Sequence, residues 1–82
     1  MESAWLAAVR AELERVSGIE LALTRDEIDE LLRLASSAAH ESGAKLNAPL
    51  VCYLAGRATQ ATGLSVADVA AAAAAAAAEA PR

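Results

Sequence analysis

Nine consecutive alanines, Ala70 to Ala78, constrain this chain more than any other feature. Alanine is the strongest intrinsic helix former. The bias runs through the whole sequence: 24 of the 82 residues are alanine, and the larger aliphatics are eleven Leu, five Val and two Ile. The only aromatics are Trp5 and Tyr53, and there is no Phe. Strands favour β-branched and aromatic side chains, so the composition predicts an all-α fold. At this length the chain makes one domain, residues 1–82. A chain so short hides only about 60% of the surface its unfolded form exposes, so its stability is expected to be modest.

Apolar periodicity and punctuation predict a compact antiparallel four-helix bundle, with helices at about 3–16, 25–42, 48–62 and 66–79. In the first, Trp5, Val9, Leu13 and Val16 recur at helical spacing, with Leu6 widening the stripe. Gly18 supplies a left-handed stop. The second opens on Thr24 with Glu27 three residues on, the pattern of a capping box. Its buried face reads Ile28, Leu31, Leu32, Ala35 and Ala39, and Gly43 ends it. The third opens at Asn47, read as its cap, with Pro49 in the first turn. Leu50, Leu54, Ala58 and Ala61 make its expected core stripe, opposite a side of small residues that includes Cys52, Ala55 and Gly56. That helix is expected to be the most buried, with a neighbour approaching closely at Gly56. Gly63 ends it, and Ser65 with Asp68 opens the fourth, which stops before Pro81 and is expected to fray in its C-terminal half. Trp5 and Tyr53 are read as core or half-core anchors. The short turns make helices 2, 3 and 4 sequential neighbours, whereas residues 18–23 allow helix 1 another angle.

Charge narrows the function. The formal net charge is −4, and the seven basic residues are scattered along the chain. With no basic stripe to neutralise phosphates, nucleic acid and anionic membranes are not expected partners. The longest apolar stretch is too short to span a bilayer, and no secretory leader is visible. One cysteine, Cys52, makes no intramolecular disulfide and no structural zinc site, and its thiol suits a reducing cytoplasm. No metal and no cofactor is expected.

Candidate chemistry is sparse. His40, the only histidine, lies near the end of helix 2 on a flank shared with Arg33 and Ser36. An antiparallel partner would bring it near Pro49 or Tyr53. A Cys52–His40 dyad would lack an oxyanion site, so Cys52 reads as a packing residue. The acidic residues from Asp26 to Glu30 complement the helix dipole. No two groups of suitable chemistry are visibly paired, and an enzyme is the least expected class.

Leu31-Leu32-Arg33-Leu34-Ala35 leads to Ala38-Ala39-His40, then Ala48-Pro49-Leu50, then Leu54-Ala55-Gly56. This succession resembles a small uncharacterised bacterial helical domain family. That family has a tryptophan near its start, which Trp5 matches, a leucine-rich helix ending in Ala-His, an Ala-Pro-Leu step and a Leu-x-Gly helix. The resemblance covers helices 1 to 3. Such domains occur alone or at the C-terminus of molybdenum cofactor guanylyltransferases. The resemblance therefore implies a place in molybdenum cofactor (molybdopterin guanine dinucleotide) maturation without implying a reaction.

The reading is a non-enzymatic accessory or interaction module with a protein partner, a guanylyltransferase of that pathway being the implied one. Its expected surface is His40, Lys45, Asn47, Pro49, Tyr53 and Arg57, with Tyr53 and Arg57 as anchors. Two alternatives stand beside it. One is a carrier of a pterin or nucleotide, which needs Arg33, Lys45 and Arg57 to converge beside His40. The other is a self-associating homo-oligomeric module, pairing through the alanines of helix 4 and the small face of helix 3.

Overall fold

A computed structural model describes residues 2–81. The chain is all-α, with α1 at Ala4–Ser17, α2 at Arg25–Ser42, α3 at Asn47–Thr62 and α4 at Val66–Glu79. Each element lies within about a residue of its expected span, because local side chains set the ends. The Ser3 hydroxyl accepts from the Leu6 amide at 3.1 Å, and the Ser65 hydroxyl accepts from the Asp68 amide at 3.1 Å. The capping box at α2 is complete: Glu27 donates its amide to the Thr24 hydroxyl at 3.1 Å, and its carboxylate accepts the Thr24 amide at 2.8 Å. Gly18, Gly43 and Gly63 stop α1, α2 and α3 in the left-handed region at φ 75°, 73° and 77°.

Asn47 departs from expectation. It is the first residue of α3 and does not cap it, since the preceding Leu46 is already helical and no side chain bonds the helix start. The carbonyls of Ala44 and Lys45 accept the amides of Asn47 and Ala48, each at 3.1 Å. Pro49 has no amide proton to satisfy. Overlapping turns therefore start the helix before Asn47, which lies inside it.

The centre of the bundle is α2, which packs against both α3 and α4. The buried side chains are Leu34, Ala38, Ala55 and Ala70, and Leu34 meets Ala55 and Ala70 in one cluster. Val51, Cys52, Val69 and Ala73 close around it. The rotations of α2 and α3 differ from those that periodicity predicts. In α2 the inward residues are Leu34 and Ala38, while Leu32 is 65% exposed. In α3 the small side faces inward through Ala55, and the expected core residues Leu50, Leu54 and Ala61 are exposed. Helix α3 is thus not the most buried element; it turns its bulkiest side chains to the surface. Small residues let backbones approach closely, and one leucine from α2 fills the space where three helices meet.

Gly56 likewise is not a point of close approach: a Cβ built there meets nothing within 4 Å. Glycine in a helix interior costs about 0.5–1 kcal/mol relative to alanine. Gly56→Ala is therefore expected to raise the melting temperature by several degrees, read by circular dichroism at 222 nm; a fall would mean that a neighbour does pack there.

Helix α1 makes no helix-to-helix contact with α2, α3 or α4 among the described residues. It is held instead by the connection that follows it. The Glu14 carboxylate accepts the Leu21 amide at 2.7 Å, and Arg10 bridges Glu2 and Glu14. That guanidinium holds the Glu2 carboxyl below its usual range. Leu6, Val9 and Leu13 border a shallow hollow with Leu21 and Leu23. The rest of the apolar stripe is open: Val16 is exposed, and Trp5, expected as an anchor in the core, is 74% exposed. Among the described residues no helix is long and apolar enough to cross a membrane.

Candidate interaction surface

Turning the small side of α3 inward creates a surface on its other side. Leu46, Leu50, Tyr53 and Leu54 are all exposed, at spacings of four, three and one residues, and Arg57 follows one turn on. At about 100° per residue these positions share one face of the helix. Tyr53, expected as a core or half-core residue, is 67% exposed. The Arg57 guanidinium lies over its ring at 5.9 Å from the centroid, within cation–π range. The result is an apolar stripe with a stacked arginine at one end and Lys45 at the other.

The sequence-selected residues do not all meet. Tyr53 and Arg57 line one shallow groove along α3 with Cys52 and Gly56. Lys45 is exposed just before that helix, and Pro49 is exposed in its first turn. Asn47 is half-buried and lines an apolar groove at the other side of α3, with Leu34, Ala38 and Val51. His40 is exposed in yet another groove, between α2 and α4, with Arg33 and Ser36 as expected but without Pro49 or Tyr53. The reason is the rotation of α2: Leu34 and Ala38 take the inward side and carry His40 away from α3. Sequence periodicity missed Leu46, Leu50 and Leu54 as surface residues, because it ranked the two faces of α3 by side-chain bulk. The signal that could have found them is the unbroken small face opposite, matched to an alanine helix that must pack closely.

Cys52 is half-buried and its thiol donates to the Leu31 carbonyl at 3.9 Å. Burial pushes this thiol up from its ordinary value. A nucleophilic cysteine needs the opposite shift and an adjacent base, whereas His40 lines a different groove. Among the described residues no three His, Cys, Asp or Glu side chains cluster as a metal site.

The model of a domain of unknown function, DUF6457, matches residues 2–82. The chain belongs to the DUF6457 family. No curated protein and no solved structure matches it. As a DUF6457 domain it is a small helical unit, and the match includes the alanine helix α4 as well as α1 to α3.

Proposed function

We propose that this DUF6457 domain is a non-enzymatic accessory module that docks a protein partner through the exposed stripe of α3. The carrying observation is that stripe itself: Leu46, Leu50, Tyr53 and Leu54 lie open to solvent, and Arg57 is stacked on Tyr53. Aromatic and arginine side chains are the residue types that dominate binding energy at protein interfaces. A preformed cation–π pair also reduces the ordering cost of binding. The partner class comes from the family resemblance read in the sequence: a molybdenum cofactor guanylyltransferase, in the bacterial cytoplasm.

The carrier alternative has less support. Arg33 and His40 share the groove between α2 and α4, but Arg57 lies along α3 and Lys45 lines neither groove. Glu30 and Glu41 border the His40 groove as well, and they disfavour a phosphate-bearing ligand.

The test is a titration of the domain against the guanylyltransferase of its own genome. Tyr53→Ala is expected to weaken binding by roughly tenfold to a hundredfold, as for an interface hot spot, with helical content unchanged. His40→Ala, on another groove, is expected to leave the affinity as it is. Absence of saturable binding at tens of micromolar, or equal loss with both variants, would overturn the proposal.

A further inference from the structure

The accessible surface is 6023 Å² for a chain of 8.3 kDa. A compact monomer of that mass exposes about 4,600 Å², so this fold presents roughly 1,400 Å² more than its size requires. Stable protein interfaces cover about 800 Å² on each partner, and obligate homodimers cover more. The excess is therefore what one dimer interface removes.

Its location is specific. The apolar side of α1 includes Trp5, Val9, Leu13 and Val16, and no other helix covers it. The stripe of α3 runs from Leu46 to Arg57. Both stripes span eleven residue steps, about 16 Å of helix. Charged groups flank both stripes: Arg57 is the only charged residue of α3, with Lys45 just before it, and Glu12 and Arg15, paired with each other, are exposed beside the α1 stripe. Folding α1 back onto its own α3 would break the Glu14–Leu21 bond and lift Leu21 and Leu23 from the α1 hollow.

We infer that the domain forms a twofold homodimer in which α1 of each copy lies on the α3 stripe of the other. Such a contact is self-complementary and closes after two copies. It uses the same α3 stripe as the docking reading above, so a second copy and a different partner exclude each other there. The dimer is the resting form, and a partner gains the stripe by displacing α1.

The full chain is examined by sedimentation equilibrium and by the fluorescence of Trp5, the only tryptophan. The expected result is a mass of two chains at tens of micromolar, with Trp5 emission shifting to the red on dilution as the ring returns to water. Trp5→Glu and Leu50→Glu are each expected to give monomers with unchanged helical dichroism, because neither side chain belongs to the buried cluster. Mixing the two variants restores one intact α1–α3 contact and is expected to recover association. A monomeric wild type, or a dimer that Trp5→Glu leaves intact, overturns the inference. So does a dimer that Leu50→Glu leaves intact, or a mixture that associates no better than either variant alone. Partner binding is titrated separately with Trp5→Glu. If that variant binds a partner while the wild type is monomeric, the dimer fails and the docking reading stands. If the wild type dimerises as described and no partner binds, the docking reading alone fails.

Discussion

Leu34→Ala is expected to lower the melting temperature by roughly 10–30 °C, the largest loss of any single truncation in this domain. Leu34 is the only large side chain among the buried described residues, at 4% exposure, and it joins Ala55 of α3 to Ala70 of α4. Removing its branched end leaves a cavity lined by alanines and by the short side chains of Val51, Cys52 and Val69, which have little length with which to collapse into it. Buried leucine truncations of this kind cost about 2–5 kcal/mol. A domain of this size has about 4–12 kcal/mol in total, so the variant is expected to be substantially unfolded near body temperature. Thermal denaturation followed at 222 nm, at one fixed protein concentration, measures the effect. Leu32→Ala is the paired control, since Leu32 is an exposed neighbour two positions away. It is expected to shift stability by no more than about 0.5 kcal/mol, as surface substitutions do. If Leu32 proves the costly one, α2 is rotated as periodicity alone would have it.

The second large effect is expected from adding volume. Ala70 and Ala55 are buried against Leu34, so a leucine at 70 adds volume where α4 packs on α2. Overpacking a filled core costs about 1–3 kcal/mol, which corresponds to a fall of roughly 5–20 °C in a domain of this length. Ala72→Leu supplies the contrast: the same substitution in the same helix at an exposed position. Leucine and alanine have similar helix propensities, so the difference between the two variants isolates packing. Equal melting temperatures would mean that α4 does not pack through Ala70.

These two pairs of variants bear on the point at which sequence reasoning stopped. The helix ends were legible because each rests on groups close together in the chain. Thr24 with Glu27, Ser65 with Asp68, and the glycines at 18, 43 and 63 act over three or four residues. Local chemistry of that range does not depend on the rest of the fold. The start of α3 was the exception. There Asn47 has a cap's identity, but turns closed on the Ala44 and Lys45 carbonyls begin the helix earlier and leave Asn47 inside it.

The candidate surface was legible only in part. Tyr53 and Arg57 were selectable as residue types, and the geometry stacks them. Periodicity places Leu50 and Leu54 inward, although with Leu46 they make most of the stripe. One rotation of α2 would bring His40 beside Tyr53, but the observed rotation puts it in another groove.

The sequence by itself determined that the chain is helical, where its four helices begin and end, and that α1 is free to leave the line of the others through residues 18–23. Backbone propensity and capping are local, so a single chain read from end to end contains them. Only the tertiary structure decided which side of α2 and α3 faces inward, and that α1 keeps its apolar stripe in the open. An alanine-rich helix can be approached closely from several angles. The face that wins is the one whose small side chains fit around Leu34, and that fit is a property of three helices together.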